Sequence, residues 1–317
     1  MLKYRHNLPQ LNGGTFLSDG GMETTLIFHH GLELPHFASF VLLATQEGRE
    51  QIKNYYRDYL NVARRHGTGF VLDTATWRAN PDWGEKLGYS PQALKAANEE
   101  AVDVVAELRE EYEQPGRPIV IGGAIGPRGD GYKAGSMDAW EAEDYHAPQI
   151  ATFAGTAADM VAAYTLTNID EAIGIARAAQ RLGMPTAIAF TVETDGKIVT
   201  GRSIQEAIEG VDAATGGYPA YYIVNCAHPS HFEGAFDHNS GWIKRIAGLK
   251  ANASMMSHQE LDNSETLDAG DPVDLGLRYR ALTRQMPQVR VLGGCCGTDH
   301  RHIAAICEAC LPTQSAA

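Results

Sequence analysis

The sequence predicts an α/β fold, a closed (β/α)8 TIM barrel in a single domain over residues 1–317, from three observations. Eight short β-rich runs recur along the chain, stretches with helical apolar spacing separate them, and no G-x-G-x-x-G follows the first run as an open dinucleotide-binding sheet would require. In order, the runs are Thr15–Asp19, Gly69–Thr74, Ile119–Gly123 and Val161–Thr165, then Thr186–Thr191, Tyr221–Asn225, Leu249–Ala253 and Val289–Gly293. Helical periodicity is clearest at Ile52–His66, Ala93–Tyr112, Ile169–Leu182 and Leu275–Met286. Strands that alternate with helices pair in parallel, and eight of them close a barrel.

Composition narrows the partners. With 39 acidic against 26 basic side chains the formal charge is -13, which repels a phosphate backbone, so nucleic acid is not an expected partner. There is no run of about 20 apolar residues to span a membrane and no apolar leader, so the cytoplasm is the expected address, and a homo-oligomer is left open. Five cysteines form no even disulfide framework, which favours reduced thiols that pack, bind metal or react.

The connections Ala75–Pro91 and Ala124–Ala147 are long and rich in Gly, Pro, Trp and Tyr. Loops that follow strands build the active site of a barrel, so both are expected at its mouth. Cys226 follows YYIVN, and Cys295 and Cys296 follow VRVLGG, which puts all three just beyond the carboxyl ends of strands six and eight. Three thiolates there would hold zinc at Zn–S distances near ~2.3 Å and leave a fourth tetrahedral position open. Gly293, Gly294 and Gly297 are expected to give the backbone the tight path that aims two adjacent side chains at one ion. Simple burial is the alternative, since cysteine packs readily, but successive strand residues point to opposite faces unless the chain turns. Cys307 and Cys310 lie on the apolar stripe of the last helix, and His228, His300 and His302 are read as exposed loop and helix-start residues.

The segments SDGGMETTL, VNCAHP and GGCCGTDHRHI, together with Gly122–Asp130, DTATWRAN and Phe190–Lys197, closely resemble signature segments of the homocysteine S-methyltransferases from about Thr15 to Cys310. That resemblance implies a zinc-dependent transfer of a methyl group from a small onium donor to homocysteine, giving methionine. It assigns Cys226, Cys295 and Cys296 to zinc, with the acceptor thiol as fourth ligand. It also implies that Asp19, Gly20 and Gly21 wrap the amino-acid end of the acceptor and that Thr76 and Trp77 line the same pocket. Zinc suits this chemistry because a thiol of pKa near ~8.5 is mostly protonated at neutral pH and a metal stabilises its thiolate. Trp77, Trp83, Tyr132 and Trp140 are candidate aromatic faces for a cationic donor.

The sequence departs from the family where a fourth-strand F-E-T usually supplies a glutamate to the acceptor's amino group. That glutamate falls at Tyr164, which can hydrogen-bond but carries no carboxylate. Ala75 and the stretch ANASMMSHQELDN also depart from the family pattern. Two alternatives stay open at this point: the same chemistry on another small thiol, and a zinc- or ligand-binding barrel without turnover. Metal-assisted hydrolysis is a weaker third, because such sites favour His and carboxylate ligands.

Overall fold

The computed structural model of the chain describes residues 3–236 and 240–311. Eight parallel strands form a closed barrel in sequence order. They are β1 (Phe16–Leu17), β2 (Gly69–Asp73), β3 (Ile119–Ile125), β4 (Met160–Leu166), β5 (Thr186–Phe190), β6 (Tyr221–Asn225), β7 (Ile246–Ala251) and β8 (Val291–Gly294). Each pairs with the next, and β8 pairs with β1 through Phe16–Val291 and Leu17–Leu292. β7 begins three residues before its expected start at Leu249. Gly248 and Lys250 interrupt its apolar pattern, and a register irregularity against β6 at Tyr222–Ile223 shifts the pairing.

Alternation along the strands sorts side chains to two sides of the barrel wall. Phe16, Val71, Val120, Met160, Ala162, Ala189, Tyr221, Ile223 and Val291 fill the interior. Leu17, Leu72, Ile121, Val161, Ile188 and Leu249 face the helices. The amino-terminal segment closes the bottom: Leu8 joins the interior cluster, and Tyr4 donates its amide to Asp159, which also pairs with Arg109 at 2.8 Å. The plugged bottom leaves the opposite end, where the strands finish, as the place for a site.

Among the described residues seven helices of eleven residues or more surround the barrel: α1 (Gln46–His66), α2 (Pro91–Tyr112), α3 (Ala139–Ala154), α4 (Ile169–Arg181), α5 (Ile204–Thr215), α6 (Pro272–Gln285) and α7 (His300–Cys310). Their ends are written into the sequence. Thr45 caps α1 and Ser90 caps α2 ahead of Pro91. Asp138–Glu141 and Ser203–Glu206 form reciprocal capping boxes on α3 and α5. Gly67 ends α1 at φ 70°, a conformation glycine adopts without penalty. Between β6 and β7 the described residues form only short helical turns, Pro229–Phe232, Glu233–Ala235 and Trp242–Arg245. No helix among the described residues is long and apolar enough to cross a membrane.

Candidate metal centre and acceptor pocket

Cys226 follows β6 with φ at +52°, a left-handed turn that a non-glycine residue adopts only when its surroundings hold it there. Its amide donates to the Lys250 carbonyl at 3.0 Å. Its own carbonyl accepts from Asn252 Nδ2 at 3.1 Å and Thr191 Oγ1 at 3.2 Å, and lies 2.6 Å from His258 Nε2. The loop after β8 is tied down equally. Cys295 donates to Ala251 at 2.8 Å, the Cys296 carbonyl accepts from Ala253 at 3.1 Å, and Thr298 Oγ1 donates back to Cys295 at 2.7 Å. Of the three glycines, only Gly297 has a positive φ, at 78°. Gly293 and Gly294 stay in the strand and serve close approach instead, since a Cβ on Gly294 would stand 2.0 Å from Thr298 Oγ1.

These turns bring Cys226, Cys295 and Cys296 together, with their sulfur atoms within 4.8 Å of one another. The expectation of reduced thiols needs correction, because Cys226 and Cys295 form a disulfide and Cys296 remains a thiol. Sulfurs aimed at one point from two strand ends fall within bonding reach of each other, so a ligand set of this kind is also a ready disulfide. The donor set still fits a metal ion. Tetrahedral zinc with Zn–S near ~2.3 Å sets sulfurs about 3.8 Å apart, and Cys226 Sγ lies 4.0 Å from Cys296 Sγ. Opening the disulfide by two-electron reduction would return the Cys226 and Cys295 thiolates and complete the set of three.

Tyr132, from the long loop after β3, roofs this centre. Its hydroxyl is 3.5 Å from Cys296 Sγ, and its ring stacks on His258 at 4.1 Å, with Glu193 3.1 Å from the other side of that histidine. Burial pushes the Cys296 thiol above its ordinary pKa, while the Tyr132 hydrogen bond pulls it down. If the three sulfurs hold a metal, Tyr132→Phe removes a donor to one of them and is expected to weaken metal affinity about 10- to 100-fold. Competition with a chromogenic chelator measures it, and unchanged affinity would dissociate Tyr132 from the centre.

Beneath the cysteines the inner faces of the strand ends carry a buried polar cluster. Asp19 follows β1 and accepts on Oδ1 from Lys250 Nζ at 2.7 Å and Ser18 Oγ at 3.2 Å, and on Oδ2 from Tyr55 at 3.1 Å. Asp73, the last residue of β2, receives the Tyr164 hydroxyl on Oδ2 at 2.6 Å, with Lys250 Nζ 3.7 Å away. Tyr164 thus occupies the position expected of the missing glutamate and reaches across to a carboxylate two strands away. Burial drives the Asp73 pKa up to about 6 against the opposing pull of Lys250. Burial also disfavours the Lys250 charge, but Asp19 and Asp73 outweigh it and hold the ammonium above its usual pKa. Asp73 and Lys250 went unnoticed in the sequence.

The remaining expected residues lie as follows. Gly20 sits where a Cβ would meet the Thr298 carbonyl at 2.6 Å, and Gly21 donates its amide to that same carbonyl at 3.0 Å. Thr76 is fully buried and donates to the Ala124 carbonyl at 2.7 Å, fastening the β2 loop to β3. Trp77 donates from Nε1 to the Tyr164 carbonyl at 3.3 Å. The protein's own cations already cover the tryptophan faces: Arg78 lies 4.2 Å from Trp77 and 4.1 Å from Trp83, and Arg177 is 5.2 Å from Trp140. Of the four aromatic candidates, Tyr132 is the one in contact with the cysteines. His228 and His302 are buried rather than exposed: His228 is the N-cap of the Pro229–Phe232 turn, and His302 accepts the Asp299 amide on Nδ1 and lies 2.7 Å from the Ala269 carbonyl through Nε2, whereas His300 is exposed. Cys307 packs in the core with its thiol pushed up to about 12 by burial, and Cys310 is half-buried.

The closed eight-stranded barrel agrees with what comparisons with known proteins find. The sequence is 24% identical over 280 residues to homocysteine S-methyltransferase of Escherichia coli (strain K12), covering 82% of this chain and 84% of that protein. It is 26% identical over 291 residues to betaine–homocysteine S-methyltransferase 1 of Rattus norvegicus, covering 86% of this chain and 67% of the rat protein. Among solved structures, the E. coli homocysteine methyltransferase MmuM shares the fold in its oxidised form, with a TM-score of 0.74 at 22% identity over 92% of this chain and 94% of that one. Its metallated form matches with the same TM-score of 0.74 at 20% identity, over 96% and 99% of the two chains. The sequence model of homocysteine S-methyltransferase matches residues 16–310, nearly the whole barrel, and the chain belongs to that family.

Proposed function

We propose that this protein is a zinc-dependent S-methyltransferase that transfers a methyl group from a small methylated onium donor to homocysteine, giving methionine. The observation that carries the reading is the convergence of Cys226, Cys295 and Cys296 on one point beside Asp19 in a barrel of this family. Cys226, Cys295 and Cys296, all reduced, would hold the ion, and zinc would supply the stabilisation that keeps the acceptor sulfur a thiolate at neutral pH. The protein's own residues do the rest. The disulfide-capable pair presents two sulfurs once reduced, Tyr132 donates towards the third, and the polar cluster below receives the amino-acid end of the acceptor. His258, held between Glu193 and the Cys226 carbonyl, fixes the Tyr132 ring over the cysteines.

Because the ligand set works only with all three thiols reduced, we place the protein in a reducing compartment, the cytoplasm. Protein reduced with a phosphine and loaded with zinc is expected to bind one equivalent and to methylate homocysteine from S-methylmethionine, S-adenosylmethionine or betaine. The unreduced protein and the chelator-treated protein should be inactive. Full activity of the disulfide form would defeat the reading, as would one bound zinc with no transfer to any thiol.

A further inference from the structure

We propose that Asp73 is the residue that receives the acceptor's α-ammonium, so that the pocket recognises an amino-acid thiol through β2 rather than through Asp19. This inference rests on the functional reading above and sharpens it. With the family's glutamate replaced by Tyr164, Asp19 is the carboxylate that the resemblance leaves at the amino-acid end, but its oxygens are engaged by Lys250, Ser18 and Tyr55. Lys250 is in effect a resident ammonium in that place. Asp73 is different: Oδ2 is held by the Tyr164 hydroxyl, and Oδ1, although buried, has no hydrogen-bond partner among the described residues.

The strand register leaves only a glycine beside the unpartnered oxygen. Asp73 pairs with Gly122 on β3, and a Cβ at Gly122 would stand 2.1 Å from Asp73 Oδ1. Any other residue there would collide with that oxygen and displace the carboxylate. Charge points the same way. Among the described residues two carboxylates, Asp19 and Asp73, face the Lys250 ammonium, and their other partners, Ser18, Tyr55 and Tyr164, are neutral hydroxyls, so these groups are one positive charge short. A buried anion without a full complement is costly, and an entering ammonium supplies the charge and the hydrogen bond together.

The position suits an acceptor whose thiol sits at the cysteines. The Lys250 carbonyl accepts from Cys226, and the Asp19 carbonyl accepts from Gly294, the residue before Cys295. The residues of the cluster therefore leave the backbone one or two strand positions below the cysteines, about 3 to 7 Å at strand rise. That is the span between the sulfur and nitrogen of a four-carbon amino-acid thiol.

The test compares homocysteine with 4-mercaptobutyrate, the same thiol acid without its amino group, in zinc-loaded, reduced protein. The wild-type chain should prefer homocysteine, and Asp73→Asn should lower the ratio of the two kcat/KM values about 30-fold or more. Gly122→Ala, which blocks Oδ1 without removing the carboxylate, should lower it in the same direction, so the idea survives a failure of D73N to fold. An unchanged ratio in both variants, or a wild-type preference for 4-mercaptobutyrate, would overturn the assignment. If the wild-type chain methylates neither thiol, the functional reading fails separately. Calorimetry then decides the present point, because homocysteine must still bind more tightly than its des-amino analogue, and D73N must erase that difference.

Discussion

Replacing Cys295 with serine is expected to remove bound zinc and to lower methyl transfer by on the order of 10³ or more. A serine hydroxyl stays protonated at pH 7, so the substitution deletes both a ligand and a negative charge from the set. The remaining sulfurs, Cys226 and Cys296, stand 4.0 Å apart and offer two thiolates where a tightly bound zinc takes three protein ligands and an open position. The acceptor thiol would then enter largely protonated, and a thiol is a far poorer nucleophile than its thiolate. Cys310→Ser is the matched control. It removes a sulfur from α7 outside the cluster and should keep both metal and turnover. Elemental analysis beside an initial-rate assay makes the measurement, and a Cys295→Ser protein that retains zinc and transfers methyl groups would refute the assignment of the centre.

That centre was legible because its information is local. Cys226 directly follows one strand, and Cys295 and Cys296 directly follow another, so strand order in a barrel is enough to bring them to one mouth. The helices were legible for the same reason, since Ser90–Pro91, Asp138–Glu141 and Gly67 act within a few residues of where they stand. Information that spans the barrel was not. Asp73 reads as the polar end of GFVLD, and Lys250 reads as an interruption in IAGLKA. Only closure of the sheet carries Lys250 to Asp19 across 231 positions of sequence. The same interruption displaced the expected start of β7. Tyr164 was visible as an anomaly, but its partner lies two strands away across Gly122, a contact no spacing encodes. The oxidation state of Cys226 and Cys295 is likewise not a property of sequence, because one geometry serves both a metal ligand set and a disulfide.

Lys250→Met should destabilise the metal-free fold by about 3–5 kcal/mol at pH 8, since it strips the only ammonium from two buried carboxylates while preserving most of the side-chain volume. The pH dependence identifies the cause. In the wild-type chain the Lys250 pKa is raised above 10.5, so its stabilising contribution is fully present at pH 8 and is lost only as pH rises through that higher value. Asp73 behaves in the opposite way. Its folded pKa, about 6, exceeds the ordinary 3.8, so its ionised form penalises the fold above about 6 and the penalty vanishes below the unfolded value. Without Lys250 the Asp73 pKa must climb further, and protonation then relieves the variant sooner as pH falls. The stability gap between wild type and Lys250→Met, read from urea midpoints, is therefore expected to shrink markedly from pH 8 to pH 5. Adding Asp19→Asn to Lys250→Met should recover part of the loss, because it removes one of the two unpaired charges. A gap that stayed constant with pH, or a double variant as unstable as the sum of the single ones, would mean that Lys250 supports the barrel by packing. The same acid range should weaken homocysteine binding in the wild-type chain, because a protonated Asp73 no longer offers a charge to the acceptor's ammonium.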